Sequence, residues 1–239
     1  MPSKSGAARP GNVRRISKGN KQMDPFKHSL APTIQQYGGI ARTREMTIDQ
    51  LLLENRIIFL GEPITPVVAK MVIQELLYLQ SSKRDQEVSM YVNSPGGYVD
   101  QTLAIYDTMQ SMGSPIATYC VGQAASGGAI LLMAGTKGRR FILPNAKVML
   151  HQPSGGVGGQ AEDVRIQARE IVRDKERLNN IIAFHTGRDA ASITEDIERD
   201  RYLNAEEALE YGIVDEILAV EKTKTGDKGG DKSGKSEKK

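Results

Sequence analysis

Cysteine is almost absent from this chain. Cys120 is alone among 239 residues, which excludes an intrachain disulfide framework and fits a reducing compartment. It lies in a strand-like run and reads as a small buried hydrophobe. Tryptophan is missing and aromatics make up 5% of the chain. No basic stripe with interleaved aromatics occurs, which argues against nucleic-acid binding. Apolar runs are short, Ala129–Ala134 being the longest near the middle of the chain, so no membrane span is expected. The N-terminus has no apolar h-region of a secretory signal, and a Walker A motif is missing throughout.

Charge is unevenly spread. The first 30 residues carry seven Lys/Arg against one Asp, and residues 221–239 carry seven Lys against four acids. The formal charge of +3 for the whole chain therefore leaves residues 31–220 at −6. Residues 1–30 are expected to be a disordered basic extension, either a solvated tail or a pro- or targeting segment. "EKTKTGDKGGDKSGKSEKK" (221–239) has no large apolar residue and is expected to be a disordered Lys/Gly-rich tail. Residues 31–220 are long enough for one folded body with a sizeable core.

That body alternates strand and helix patterns. "NRIIFLG" (55–61), "EVSMYV" (87–92), "PIATYCV" (115–121), "RRFIL" (139–143) and "KVML" (147–150) read as strands. Thr65 caps a helix with Pro66 at its first position, and Val68, Val72, Leu76 and Leu79 form its apolar face. Asp100 begins a second helix that Gly113 stops. Val164, Ala168, Ile171, Leu178 and Ile182 recur at helical spacing in a long third helix. Ser192 with Glu195, and Asn204 with Glu207, are capping-box patterns. Such alternation predicts an α/β fold around a largely parallel sheet.

Three places could carry chemistry. In "YCVGQAASGGAILLMAG" (119–135) a strand ending at Gly122 is followed by Ser126, then Gly127 and Gly128, then an apolar helix. Ser126 is either a nucleophile at a helix N-terminus or one small residue in a tightly packed turn. Ala124 stands where the hydrolase elbow G-x-S-x-G has its first glycine. A serine nucleophile needs a base, and the chain has three histidines. His28 lies in the basic extension, and His185 stands where the long helix should end. His151 follows "KVML" at a strand tip, either as a base or as a loop histidine. In "NSPGG" (93–97) the paired glycines form either an ordinary turn or a site whose exposed amide meets an oxyanion; such a donor contributes about 3–4 kcal/mol. Residues 31–220 contain 24 acids, so spacing does not select an orienting carboxylate. Asp200 in "ERDRYL" sits in a connector, where it suits a functional acid or a salt bridge with Arg199 or Arg201.

The blocks "NSPGG", "YDTMQ", "GQAASGGA", "LPNAKVMLHQP", "GQAEDVRIQAREI" and "ERDRYLNAEEALEYGIVDEIL" occur in order. Together they resemble the proteolytic subunits of Clp protease over about residues 32–218. The resemblance implies a crotonase-like (ClpP) fold of repeated β-β-α units with a protruding strand–helix handle. It implies a serine endopeptidase that cleaves unfolded polypeptides inside two stacked seven-membered rings. By that resemblance Ser126 is the nucleophile, His151 the base and Asp200 the orienting acid, with Gly97 and Gly127 as oxyanion donors. "GGVGGQ" (155–160) matches the handle's glycine-rich strand, and Gln160, Asp163 and Arg199 match positions joining the two rings. No cofactor is implied, since ATP is used by a partner AAA+ unfoldase of ClpX or ClpC type. The expected location is bacterial cytoplasm, or an organelle matrix if residues 1–30 are a transit peptide.

Departures from the family pattern are specific. Gly127 stands where methionine is usual after the nucleophile. Ser89 and Ser111 stand where apolar or aromatic residues usually line the ATPase-docking pockets, while Tyr91 is retained. Weakened docking predicts a mixed assembly with a second ClpP-like paralogue. Competing readings are a catalytically inactive relative, an acyl-CoA hydratase or isomerase of crotonase type, and a structural scaffold.

Overall fold

The computed structural model describes residues 36–37, 40–41, 46–156 and 158–218. The expected extension over 1–30, the tail over 221–239, and His28 all lie outside the described residues. Two compact units divide between Arg44 and Glu45. Within the first, β1 (Gln36–Tyr37) pairs antiparallel with β2 (Ile40–Ala41).

The second unit runs through α1 (Ile48–Glu54), β3 (Ile57–Leu60), α2 (Pro66–Ser82), β4 (Val88–Ser94), α3 (Val99–Ser111), β5 (Ile116–Ala125) and α4 (Gly127–Met133). It continues with β6 (Arg140–Ile142), β7 (Lys147–Leu150), α5 (Ala161–Thr186), α6 (Ala190–Asp196), β8 (Arg201–Leu203), α7 (Ala205–Tyr211) and β9 (Glu216–Ile217). Strands β3-β4-β5-β6-β9 lie side by side, while β7 branches from β5 and pairs with β8. Every pairing in this sheet is parallel except β7 with β8. The expected α/β architecture with a largely parallel sheet is therefore present.

Local chemistry explains most of the elements. Thr65 accepts from the Val68 amide at the head of α2, Pro66 opens that helix, and Val68, Val72, Leu76 and Leu79 are buried as their spacing predicts. Asn204 and Glu207 form a complete capping box on α7. The other expected box is absent. Asp189 caps α6, accepting from the Ala191 and Ser192 amides, so Ser192 lies inside the helix it was expected to start. A carboxylate three residues upstream reaches those amides first. A second complete box, Thr47 with Gln50 on α1, carried no apolar period to mark it.

Strand β5 does not end at Gly122. Gly122 takes φ +83 inside the strand, and a Cβ there would stand 2.7 Å from Asn93 Oδ1. Glycine makes that bend without strain. Before it, residues 118–120 pair with β6; after it, residues 123–125 pair with β7. On one edge the strand thus serves β6 and then β7, with β4 along its other edge.

Helix α5 divides by burial. Only Leu178, Asn179 and Ile182 are buried, and Ala168 on the predicted apolar stripe is exposed. The exposed turns are braced by the pairs Arg165–Glu162, Arg173–Glu170 and Arg177–Asp174, each contributing about 0.3–0.5 kcal/mol. Residues 155–156 and 158–160, where a handle strand was expected, form no strand. A strand needs a hydrogen-bonding neighbour, and no segment of the described chain lies in register with this glycine-rich stretch.

Candidate active site

Ser126 occupies the turn between β5 and α4 with φ 52 and ψ −119. A non-glycine residue there is strained, and the strain persists because the surroundings over-determine it. The Ser126 amide donates to Met149 O at 2.8 Å, and the Ser126 carbonyl accepts from Ala129 and Ile130. The strand–serine–helix turn is that of a nucleophile elbow, although Ala124 replaces the elbow's first glycine.

His151 follows the last residue of β7. Its Nε2 stands 2.8 Å from Ser126 Oγ. Both elements are set by the sheet, because β5 residues 123–125 and β7 residues 147–149 are neighbours. Asp200 reaches His151 by register. The antiparallel ladder of β7 and β8 ends by pairing Leu150 with Arg201, and His151 and Asp200 are the residues just past that end. His151 Nδ1 lies 3.6 Å from Asp200 Oδ1, with 59% of the Asp200 side chain exposed. Neither alternative salt bridge forms: Arg201 pairs with Asp196 instead, and among the described residues the salt-bridge contact of Asp200 is to the His151 ring alone.

Gly97 and Gly127 both line the cavity beside Ser126. Gly97 follows the turn after β4 and bridges to Ile64, where a Cβ would stand 2.3 Å from Ile64 O. Ile64 donates to Gly96 O and accepts from Tyr98, which holds the turn without using the Gly97 amide. Gly127 begins α4, where first-turn amides have no intrahelical acceptor. A narrow, mainly apolar cavity opens beside Ser126 and His151, walled by Gly97, Gly127, Ile130 and Leu150.

The remaining candidates sit elsewhere. His185 lies in the last turn of α5, with its Nε2 3.0 Å from Tyr106 Oη. Burial, then the charges of Arg140 and Lys137, push its pKa down to about 4. Cys120 is fully buried, and burial pushes its thiol up to about 12, so it is an inert core residue. Gln160 and Asp163 stand exposed at the start of α5, and Arg199 is exposed beside Asp200. Ser111 ends α3 in an exposed position. Tyr91 on β4 stacks on Tyr119 of β5 at 4.7 Å, and Tyr119 on Phe141 of β6 at 5.0 Å. Phe59 of β3 is in register with Tyr91 and half exposed.

Two further contributors were not singled out by the sequence. Gly96 takes φ +89, and a Cβ there would lie 2.7 Å from Ser126 Cβ and 2.8 Å from the Gly127 amide nitrogen. Its signal was the paired glycine, which did not distinguish the two. Gln152 donates through its backbone to Ile197 O at 3.2 Å and through its side chain to Glu198 O at 3.1 Å, tying the loop of His151 to that of Asp200. No group of His, Cys, Asp or Glu among the described residues is arranged to hold a metal ion.

The sequence has counterparts among known proteins. The Clp protease family model matches residues 40–221. An ATP-dependent Clp protease proteolytic subunit 1 from Rhodopirellula baltica is 51% identical over 191 residues, covering 80% of this chain and 84% of that protein.

Proposed function

The chain belongs to the Clp protease family, a family of serine endopeptidases, and on that premise we propose that Ser126, His151 and Asp200 are its catalytic triad. Ser126 Oγ attacks the peptide carbonyl as His151 Nε2 takes its proton. The oxyanion is met by the amides of Gly97 and Gly127. The imidazolium is steadied by Asp200 and then protonates the leaving amine. Water, deprotonated by His151, releases the acyl group. Each step uses a side chain or amide of this chain, as in the family's cofactor-free chemistry.

The observation that carries this reading is the 2.8 Å contact of His151 Nε2 with Ser126 Oγ at a strained turn. The test is acylation by a fluorophosphonate, read by mass spectrometry of the modified peptide. Label on Ser126 of the parent, and none on His151→Ala, is expected. An unlabelled serine in an assembled particle rejects the nucleophile and leaves an inactive relative. A hydratase of crotonase type would be blind to the reagent and would not hydrolyse peptides.

As a subunit of an ATP-dependent Clp protease, the chain works in an oligomer with an ATPase partner. In the finer reading it forms two stacked heptameric rings joined through Gln160, Asp163 and Arg199, and the partner is a AAA+ unfoldase of ClpX or ClpC type that spends the ATP. The exposed positions of those three residues support the contact. Ser89 and Ser111 weaken docking of the unfoldase, and a second ClpP-like paralogue completes the particle. Unfoldase capture by the pure homo-oligomer, as strong as by a conventional ClpP, counts against the mixed assembly. The peptidase body is residues 31–220. No helix among the described residues is long and apolar enough to cross a membrane, and the proposed site of action is bacterial cytoplasm, or an organelle matrix if residues 1–30 are a transit peptide.

A further inference from the structure

With Ser126 as the nucleophile, as proposed above, the missing side chain of the next residue acquires a consequence. The space a Cβ would need at Gly127 is already filled. Thr102 Oγ1 would stand 2.3 Å from it, Ile64 Cδ1 3.1 Å and Thr102 Cγ2 3.2 Å. Thr102 belongs to α3 and is 2% exposed. Its hydroxyl donates to Tyr98 O at 3.0 Å, one turn earlier. That bond, with the β-branch, locks the side-chain rotamer, so neither the oxygen nor the methyl can swing away.

Thr102 also borders the proposed site. It lines the cavity beside Ser126, together with Gly97, Gly127 and His151. The cavity volume is about 30 Å³, where a single water needs about 10–15 Å³. The space beside the nucleophile is therefore small, and Thr102 is one of its walls.

We infer that Thr102 determines specificity: by filling the place of a residue-127 side chain, it restricts the substrate residue on the acyl side of the cut bond to small apolar types. Gly127 and Thr102 act as a matched pair. The glycine keeps its amide free for the oxyanion, and the threonine supplies the packing that the glycine lacks. Reducing residue 102 enlarges the subsite, while adding a side chain at 127 collides with Thr102 and displaces the amide.

The test uses the assembled full-length protein and fluorogenic peptides that differ only in having Ala, Leu or Phe before the cut. In Thr102→Ala the ratio of kcat/KM for Leu over Ala is expected to rise about tenfold, the scale on which one or two methylenes are discriminated. Thr102→Ser keeps the bond to Tyr98 and loses only the methyl, so a smaller rise in the same direction, about threefold, is expected. Gly127→Ala is expected to lose about a hundredfold on all three peptides, and combining it with Thr102→Ala to recover at least a tenth of the parent rate. Ratios within twofold of the parent in both Thr102 variants, or purely additive losses in the double variant, overturn the role of Thr102. If the parent still labels at Ser126 with fluorophosphonate, such a result leaves the catalytic reading intact. A parent that neither labels nor hydrolyses removes that reading and this one together.

Discussion

Asp200 Oδ1 stands 3.6 Å from His151 Nδ1, beyond hydrogen-bond length, while 59% of its side chain remains exposed. His151 is held far more closely to Ser126, at 2.8 Å. Water screens an acid in that position, so it orients and stabilises the imidazolium less than a buried partner would. Asp200→Asn is expected to lower kcat about 10²-fold, against about 10⁴-fold or more for Ser126→Ala or His151→Ala. Steady-state hydrolysis of one fluorogenic peptide by the three variants decides it. An Asp200→Asn loss equal to that of Ser126→Ala sinks the idea of a loosely held acid.

Gly96 and Ser126 meet so closely that no side chain fits between them. A Cβ on Gly96 would stand 2.7 Å from Ser126 Cβ and from Ala125 O, and its φ of +89 disfavours any other residue. Gly96→Ala must push the nucleophile or the Gly127 amide aside. An activity loss of about 10²–10³-fold, the cost of one misplaced oxyanion donor, is expected from peptidase assays on fractions shown by size-exclusion chromatography to be assembled. Undiminished turnover would mean that the turn is not part of the site.

Arg140 is 1% exposed and forks onto Asp215, with Nε to Oδ2 at 2.8 Å and Nη2 to Oδ1 at 2.6 Å. The Gly138 and Arg140 amides also donate to Asp215. Burial pushes the Asp215 carboxyl up, but the hydrogen bonds and charge of Arg140, with those two amides, reverse the shift and hold it below the usual carboxylate range. Asp215→Ala leaves a buried guanidinium uncompensated and is expected to cost about 3–5 kcal/mol. Denaturant unfolding measures it. The sign with pH follows: a lowered carboxyl contributes stability that is present above its unfolded pKa and lost as pH falls through its lowered value. An Asp215 variant therefore differs from the parent most near neutrality and least in strong acid.

His185 titrates in the opposite sense to a salt-bridged histidine. Its pKa falls from 6.5 to about 4 on folding, mainly through burial and then through Arg140 and Lys137. Between those values the unfolded chain holds the extra proton, so stability falls as pH drops from about 6.5 toward 4. His185→Gln removes that dependence. The parent's Tm is expected to fall more steeply than the variant's between pH 7 and pH 4.5 in calorimetry. Parallel curves refute it.

Much of this is legible in the sequence. Short apolar runs marked β3 to β7 and a period of 3.6 marked the buried face of α2, because burial leaves its pattern in the chain; β8 and β9, of three and two residues, were too short to leave one. Asn204 with Glu207 identified the start of α7, since a capping box is a local contact. Ser192 with Glu195 failed as a signal because Asp189 competes for the same amides. Gly122 misled for a related reason. Glycine marks both a strand's end and a bend within it, and only a second pairing partner beyond the bend tells them apart. Gly97 and Gly127 were readable as amides without side chains. That Thr102 occupies the space of one of them was not, since the two residues lie on different helices.

Residue type and local order alone established the α/β class, the glycine turns, a serine ahead of an apolar helix and a histidine at a strand tip. These are properties of neighbours along the chain. The tertiary structure decided which groups could act on one another. β5 bends at Gly122 to lie beside β7, bringing Ser126 to His151, and the antiparallel pairing of Leu150 with Arg201 brings Asp200 to the same ring. Those contacts join residues 25 and 49 positions apart in the chain. Their approach depends on strand register, which shifts every side chain by a face for each residue of slip, and no local pattern encodes it.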